Sequence, residues 1–405
     1  MNGVSVFVLP ALAHAYVGLR LVPALADWPW AWLCLAGFLV ASSILMPLGF
    51  LARRRRSAAA FAWTGLLLLG LFSSLFVLTL LRDVVLLLAT TVLALWPGVV
   101  GWEAIEVGSA ALVPIAALLI TALGLLNARR TAAVVPVDVP IADLPEALNG
   151  FTIAQISDIH VGPTIKGPYV SAIVEAVNRL NADMVAVTGD LVDGSVAHLA
   201  RHVAPLAHLR SRHGTFFVTG NHEYYSGAGA WINEVRRLDV RVLLNEHVVL
   251  QHGAAALVVA GVTDTSAHHF DPAHRSSPSA AIAGAPKHAA VRVLLAHQPR
   301  SAPAAAEAGF DLQLSGHTHG GQFFPWNFVV KWLQPFTAGL YRLKNLWIYT
   351  SRGTGYWGPP KRFGAPSEIT LLRLVPDVSS PRKRGSTVFG RNDTALPLAR
   401  ERQSA

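Results

Sequence analysis

Cysteine is almost absent from this chain of 405 residues, and its scarcity excludes two kinds of site. The single thiol, Cys34, cannot form a disulfide within the chain and cannot build a cysteine metal centre. Cysteine content therefore does not indicate a redox compartment. Any metal site in this sequence has to use histidine, carboxylate or amide ligands.

Charged residues are also scarce. Asp, Glu, Lys and Arg make up 14% of the chain and hydrophobic residues 52%, which is too apolar for a wholly soluble protein. The apolar excess lies almost wholly before Asn127, and the remainder has the composition of an ordinary globular enzyme. We therefore expect a multi-span transmembrane region in residues 1–130, followed by a separate globular domain.

A formal charge of +9 can indicate a protein that binds nucleic acid. The positions of the basic residues argue against nucleic-acid binding in this chain. They cluster at Arg53–Arg56, at Arg129–Arg130 and in the C-terminal tail, not along one folded segment. Arginines beside apolar runs are typical of charge that flanks a membrane. We expect the lipid bilayer as a partner and no nucleic acid.

Five apolar runs approach the roughly 20 residues that span a bilayer. They are Val4 to Leu25, Trp28 to Leu51, Ala58 to Leu81, Val84 to Val100 and Ala110 to Leu126. The prediction is five spans, with four as the alternative if the run from Val84 does not cross. Under the positive-inside rule, five spans place the following domain outside the cytoplasm, whereas four place it inside. We expect a multi-pass protein of the cell (inner) membrane, with the side of the globular domain left open.

The transmembrane region is predicted to be an anchor. The clear spans carry almost no charges, which favours an anchor over a transporter. Residues 131–150 contain several prolines and are predicted to be a linker, so that a chain beginning near Ala132 should fold by itself. Residues 376–405, rich in Pro, Ser, Arg and Gly, are predicted to be a disordered basic tail.

The segment Gly316 to Gln322 carries His317 and His319 at the end of a predicted strand, Asp311 to Ser315. Neutral imidazole is the commonest metal ligand in proteins, and the flanking glycines keep the loop tight. Alone, such a pair is as often a surface loop as a metal site. Its significance here depends on the polar clusters upstream.

Four such clusters each follow an apolar run of strand type. They are Asp158 to His160 after Phe151 to Ile156, Asp190 to Asp193 after Met184 to Val187, Asn221 to Glu223 after Phe216 to Val218, and His297 after Val291 to Leu295. Polar residues at the carboxyl ends of successive strands form the usual crevice of an open α/β sheet. Carboxylate, amide and imidazole ligands without thiolate suit Mn, Fe, Zn or Mg.

Helical spacing of apolar residues separates these strands, over Tyr169 to Leu180, His198 to Leu209 and Ala230 to Leu238. Further strands are predicted at Arg241 to Leu244, Ala256 to Ala260, Leu346 to Thr350 and Ile369 to Leu374. Strands that alternate with helices, followed by a strand-rich second half, predict a core of two sheets with helices outside.

The ordered series D-x-H, G-D-x-x-D, G-N-H-E, H and G-H-x-H resembles the calcineurin-like metallophosphoesterases, over about Phe151 to Leu374. The resemblance implies an α/β domain, an αββα sandwich of two mixed sheets, in residues 151–375. It implies a metal-dependent hydrolase of phosphoester or phosphoanhydride bonds with two divalent metal ions. The segments Ser351 to Gly355 and Arg362 to Ile369 are similar to those of membrane-tethered members, including transmembrane proteins with a metallophosphoesterase domain.

The resemblance also implies a role for each motif residue. The first metal would be held by Asp158, His160 and His319, the second by Asn221, His297 and His317, and Asp190 would bridge the two. His222 would lie beside the scissile phosphate as a catalytic residue that binds no metal. Asp193 and Glu223 are expected to support the ligands.

The substrate is predicted from the segment Phe323 to Leu333, which follows the histidine motif and combines aromatic with basic residues. Half of it is expected in the core. On a membrane-anchored enzyme such a segment suits a lipid-linked phosphate, so we predict that Trp326, Lys331 and Trp332 contact the substrate.

Relatives of the membrane-tethered branch include UDP-2,3-diacylglucosamine hydrolases of lipid A synthesis and cell-envelope phosphodiesterases. The first activity requires a cytoplasmic site and the second an outer one. A nucleotide or protein phosphatase is a further alternative. The non-enzymatic alternative is a membrane scaffold with a structural metal site.

Overall fold

The computed structural model describes residues 3–52, 59–96 and 101–377. Its first part is helical, with α1 (Gly3–Leu21), α2 (Pro29–Ala52), α3 (Ala59–Leu95) and α4 (Trp102–Arg129). Three stretches are long and apolar enough to cross a membrane, namely Pro29–Gly49, Ala60–Leu95 and Trp102–Arg129. α1 contributes a shorter apolar stretch, Phe7–Leu21.

The continuous helix α3 corrects the predicted count of five spans, because it joins two of the five apolar runs. The runs are separated in the sequence by Arg82 and Asp83, which find partners inside the bundle. Arg82 donates to the Arg20 carbonyl at 3.1 Å, and Asp83 accepts from the Arg20 guanidinium at 2.9 Å. With 37 residues, α3 is about 56 Å long. The described residues before 130 therefore form four helices.

One end of the bundle faces the rest of the chain. The end of α2 lies beside the start of α3, where a Cβ added to Gly49 would meet the Gly65 Cα at 2.6 Å. The end of α4 lies there too, because the Arg129 guanidinium is 5.9 Å from the centroid of the Trp63 ring. The end of α2, the start of α3 and the end of α4 therefore share this end. Arg53–Arg56 themselves lie outside the described residues.

Twelve strands among the described residues form two six-stranded mixed sheets. They are β1 (Ala133–Ile141), β2 (Thr152–Ile156), β3 (Met184–Val187), β4 (Thr215–Phe217), β5 (Arg241–Val242), β6 (Glu246–His252), β7 (Ala255–Gly261), β8 (Val291–Leu295), β9 (Leu312–Ser315), β10 (Gly339–Leu343), β11 (Leu346–Thr350) and β12 (Glu368–Pro376). The first sheet has the order β1-β12-β2-β3-β4-β5, and the second has the order β10-β11-β9-β8-β7-β6. Neighbours from β2 to β5 are parallel, as are β7, β8 and β9.

Seven shorter helices accompany the strands in the described residues. They are α5 (Gly167–Asn178), α6 (Val196–Val203), α7 (Asn221–Ser226), α8 (Ala228–Arg237), α9 (Pro278–Ile282), α10 (Ala302–Glu307) and α11 (Trp326–Leu333). The sheets pack face to face through an apolar layer that includes Ile153, Met184, Phe216, Leu257, Val293 and Leu312. Helices α5, α6 and α8 cover the outer face of the first sheet, and α9 and α10 cover that of the second. This arrangement confirms the predicted αββα sandwich.

The predicted linker at residues 131–150 needs a correction, because its first half is the strand β1. It pairs in parallel with β12, from Ala133 beside Glu368 to Ile141 beside Pro376. The prolines in β1 are tolerated because it is an edge strand, which forms hydrogen bonds on one side only. β12 continues one residue past the predicted domain end at 375, and the predicted tail lies outside the described residues from 378 onward.

Candidate metal centre

The predicted ligand residues lie on the loops that follow five strands. Asp158 and His160 follow β2, Asp190 follows β3, Asn221 follows β4, His297 follows β8, and His317 and His319 follow β9. Within each sheet these strands are parallel, so their carboxyl ends lie at one edge of that sheet. The structure brings both edges together, and the seven side chains meet in the crevice between them.

Five of these residues have a left-handed backbone, with φ between 51° and 71°. They are Asp158, His160, Asp190, His317 and His319. A non-glycine residue in this region costs about 1–2 kcal/mol, because its Cβ approaches the following carbonyl. Such strain persists where the surrounding structure enforces it, and it concentrates at functional sites.

The first group of ligands is Asp158, His160 and His319, whose ligand atoms all lie within 4.8 Å of one another. The Nε2 atoms of His160 and His319 are 3.1 Å apart. His319 Nε2 lies 3.5 Å from Asp158 Oδ1. Two imidazoles and a carboxylate at this spacing can hold one divalent ion.

The second group is Asp190, His297 and His317, again with ligand atoms within 4.8 Å of one another. His317 Nδ1 lies 3.2 Å from His297 Nε2. Asp190 Oδ2 lies 3.2 Å from His297 Nε2 and 3.8 Å from His160 Nε2, which belongs to the first group. Asp190 thus stands between the two groups, where a bridging carboxylate would be needed.

Asn221 provides a test of whether these residues fit a metal. Its Oδ1 is buried, and no donor among the described residues bonds to it. A buried acceptor without a partner costs about 1–3 kcal/mol, and a cation coordinated by this oxygen would remove the cost. The donor set of carboxylate, amide and imidazole suits Mn, Fe, Zn or Mg.

Burial favours the neutral form of two of the imidazoles, His317 and His319. Burial and the neighbouring His297 lower the pKa of His317 to about 4. Burial and the Arg362 guanidinium hold the pKa of His319 well below its usual value. Both rings are therefore neutral at pH 7, which is the form that binds metal. Burial alone would raise the pKa of Asp190, but His297 and His222 hold it well below the usual range, so the carboxylate is ionised.

His222 lies beside both groups and pairs with Asp193. A third cluster of possible ligands joins His160, Asp193 and His222. Asp193 Oδ1 lies 2.5 Å from His222 Nδ1 and 3.2 Å from His160 Nδ1, so it occupies the outer nitrogen of each ring. The Nε2 atoms remain directed at Asp190, at 3.9 Å for His222. Asp193 therefore orients two histidines, as carboxylates commonly do around metal sites.

The two carboxylates also keep a proton on His222. Burial alone would lower the pKa of this imidazole, but Asp190 and Asp193 raise the pKa to about 9. His222 is therefore protonated at neutral pH. A cationic imidazole at this place can donate its Nε2 proton to an atom in the crevice.

Glu223 fixes the backbone of two ligand loops. Its fully buried carboxylate accepts from the backbone N–H groups of Asp190 at 3.0 Å, Leu191 at 2.8 Å and Gly220 at 2.6 Å. These bonds join the loop after β3 to the loop after β4. The predicted supporting role fits this geometry.

Arg362 is a site residue that the sequence prediction missed. It is completely buried, and its Nη2 lies 3.1 Å from His319 Nδ1. Its Nη1 donates to the His319 carbonyl at 3.1 Å. No local pattern marks this contact, because the two residues lie 43 positions apart. The segment that contains Arg362 was noted only for its similarity to the membrane-tethered branch.

A cleft of about 560 Å³ opens beside His222. Its lining includes the basic side chains of Lys166, Arg201 and His202. It also includes Leu66, which belongs to the membrane-region helix α3. The cleft therefore connects the candidate metal centre with the helical bundle.

The predicted substrate residues lie on α11, outside the lining of this cleft. Trp326 is 49% exposed and Trp332 is 85% exposed, and Lys331 is exposed as well. The expectation that half of the segment is core fails for α11, which has no buried residue. The helix packs on the histidine loop, where a Cβ added to Gly321 would meet the Asn327 backbone at 2.3 Å.

Comparison with known proteins identifies a family for the globular part of the chain. Residues 151–321 match the calcineurin-like phosphoesterase family. The chain is 42% identical over 281 residues to a transmembrane protein with metallophosphoesterase domain from Bos taurus, covering 65% of this chain and 63% of that protein. It is 41% identical over 229 residues to an uncharacterized metallophosphoesterase from Helicobacter pylori, covering 55% and 60%.

A third relative, an uncharacterized metallophosphoesterase from Aquifex aeolicus, is 32% identical over 224 residues, covering 55% of this chain and 84% of that protein. The chain spans less than two thirds of the length of the first two relatives. The match to the family, at residues 151–321, lies within the sandwich domain that carries the crevice.

Proposed function

Because the chain belongs to the calcineurin-like metallophosphoesterase family, we propose that it is a membrane-anchored hydrolase of phosphoester or phosphoanhydride bonds that uses two divalent metal ions. One observation carries the proposal. Asp190 of the second ligand group also lies beside His160 of the first, and the buried Oδ1 of Asn221 lacks a hydrogen-bond partner among the described residues.

The residues have separate tasks in this proposal. Asp158, His160 and His319 would hold one ion, Asn221, His297 and His317 the other, and Asp190 would touch both. When bound, such ions neutralise phosphoryl charge and supply a nucleophile at neutral pH. His222 holds a proton at Nε2 and gives it to the leaving oxygen. Asp193 keeps the His222 ring in the orientation that this transfer requires.

The substrate we propose is an amphiphile whose phosphate is linked to a lipid. The cleft supports this, because basic side chains and Leu66 of α3 line the same space. Helix α11 supports it too, since exposed tryptophans beside a membrane bundle suit the bilayer interface. The helix starts close to that bundle: the ring of Phe323 lies 5.1 Å from the Lys361 ammonium, which contacts α3.

The shared end of the bundle supports a proposal for the side of the membrane on which the domain lies. The end of α2, the start of α3 and the end of α4 with Arg129 lie at that end, as does the sandwich domain, and Arg53–Arg56 stand between α2 and α3 in the sequence. The positive-inside rule then favours a cytoplasmic domain in a multi-pass inner-membrane protein. This orientation favours a substrate such as UDP-2,3-diacylglucosamine, and hence lipid A synthesis, over an outer cell-envelope phosphodiester.

The test of the metal-dependent function is the change Asp190→Asn in the full-length chain, purified in detergent. We expect it to remove hydrolysis of bis(p-nitrophenyl) phosphate in the presence of Mn²⁺ and to lower bound metal, because one side chain serves both ions. The matched control is Asp271→Asn at an exposed helix cap, which asparagine also satisfies. Unchanged metal content and turnover in Asp190→Asn would contradict the dinuclear assignment.

A further inference from the structure

Two consecutive residues, Lys361 and Arg362, connect the membrane bundle to the candidate metal centre. Both are buried, at 1% and 0% exposure. The Lys361 ammonium points into the bundle. It donates to the Gly70 carbonyl at 2.9 Å, to the Ser74 hydroxyl, and to the Thr121 hydroxyl at 3.3 Å. It therefore contacts α3 and α4 at once.

Two glycines form the space into which Lys361 fits. A Cβ added to Gly124 of α4 would meet Lys361 Cγ at 2.6 Å. A Cβ added to Gly70 of α3 would meet Pro359 Cβ at 3.2 Å. The Arg362 N–H also donates to the Gly124 carbonyl at 2.8 Å. Gly70 and Gly124 thus define a notch between the two helices, and the segment from Pro359 to Arg362 occupies it.

The Arg362 side chain extends away from the notch to the metal centre. Besides its two contacts with His319, its guanidinium donates to the carbonyls of Arg352 at 2.7 Å and Ala365 at 3.2 Å. An arginine fork held at several points has little freedom to rotate. The position of the His319 ring is therefore coupled to the position of the Arg362 backbone.

The ammonium of Lys361 finds its acceptors in one arrangement of the segment from Pro359 to Arg362 against α3 and α4. Among the described residues its acceptors are a backbone carbonyl and two hydroxyls, and no carboxylate forms an ion pair with it. A buried charge without these acceptors is strongly unfavourable. Any shift of the segment relative to α3 and α4 would remove the acceptors, so the bundle and the sandwich domain are fixed to each other at this point.

We propose that Lys361 is a positioning residue: docked in the notch between α3 and α4, it fixes Arg362 and, through it, the ligand His319. The membrane bundle is then part of what builds the first metal group, and not only an anchor. The inference rests on the proposed metal-dependent function. A chain beginning near Ala132, which is expected to fold by itself, would then lack the notch that positions His319.

The test compares two alanine substitutions in α4 of the full-length protein, purified in detergent. Gly124→Ala places a methyl group against Lys361, whereas Gly108→Ala meets no atom within 4 Å. Alanine favours a helix more than glycine does, so neither change weakens α4 itself. The readout is Mn²⁺ binding to two sites, measured by EPR of the free ion, together with the melting temperature of the metal-free protein.

We expect Gly124→Ala to weaken one of the two Mn²⁺ sites by about tenfold or more, as for other residues that support a ligand, and to leave the other site unchanged. Gly108→Ala should bind both ions as the wild type does. Lys361→Met, which retains most of the side-chain length but lacks the ammonium, is a second variant and should show the same selective loss as Gly124→Ala.

Three outcomes would overturn the inference. Wild-type affinity at both sites in either folded variant would show that the notch does not position His319. Equal weakening of both sites with a lowered melting temperature would mean a general loss of stability. A wild-type protein that binds no Mn²⁺ and hydrolyses nothing would overturn the proposed function as well, whereas the first two outcomes leave that function standing.

Discussion

The pairing of His222 with Asp193 leads to a prediction on the pH dependence of turnover. The pKa of His222 is raised from 6.5 to about 9 by Asp190 and Asp193. This shift corresponds to about 3 kcal/mol in favour of the protonated ring, shared between the two carboxylates. The Asp193 contact, at 2.5 Å, is the shorter of the two.

The perturbation is Asp193→Asn, which removes the charge and keeps an oxygen that can accept from His222 Nδ1. His222 then loses part of what raises its pKa, so its proton is lost at lower pH. If protonated His222 is the general acid, activity is present below this pKa and falls as pH rises through it. The alkaline limb of the pH–kcat profile should therefore move to lower pH in Asp193→Asn.

The assay is kcat for a dialkyl phosphodiester, whose alkoxide leaving group needs a proton, between about pH 5 and pH 10, where imidazole and its shifted forms titrate. Metal must be saturating, because Asp193 also touches the ligand His160, and losing such a partner weakens metal binding by about 10–100-fold. The wild type and Asp193→Asn are assayed with the same metal ions. The direction in which the alkaline limb moves therefore does not depend on the charge of the metal.

The control is His222→Ala, which should keep both ions and lower kcat by about 10²–10⁴, the usual scale for a lost general acid. An alkaline limb at the same pH in Asp193→Asn and in the wild type would refute the reasoning. A loss of bound metal in His222→Ala would show that His222 is a ligand.

Two further predictions concern the membrane. The double change Trp326→Ala with Trp332→Ala should lower kcat/KM for UDP-2,3-diacylglucosamine or another lipid-linked phosphate far more than for a small phosphodiester. The reason is that each Å² of acyl surface buried on binding contributes about 25 cal/mol. Equal losses on both substrates would contradict the proposal of a lipid-linked substrate. For the topology, an added cysteine at the exposed Ser279, in a Cys34→Ser background, should react with a membrane-impermeant maleimide only after the cells are broken. Labelling in intact cells would place the domain outside.

Local patterns in the sequence were sufficient to predict most of the sandwich and to select the candidate ligands. The strands β2, β3, β8 and β9 were predicted to within a residue, because buried parallel strands are short apolar runs that end in polar loops. The structure brings together Asp158, His160 and His319, and likewise Asp190, His297 and His317. A ligand at the end of a strand is marked by its neighbours in the chain, so a local pattern is sufficient to find it.

The contacts between distant elements could not be predicted from local sequence and became visible in the folded chain. The proline-containing β1 is a strand because β12, more than two hundred positions away, pairs with it. α3 continues through Arg82 and Asp83, whose side chains contact Arg20 of α1. Arg362 reaches His319, while the adjacent Lys361 enters the bundle. The spacing of apolar residues indicates the type of one element and the face of it that is buried. The contacts described here depend on which elements lie side by side, and that is established only when the whole chain packs.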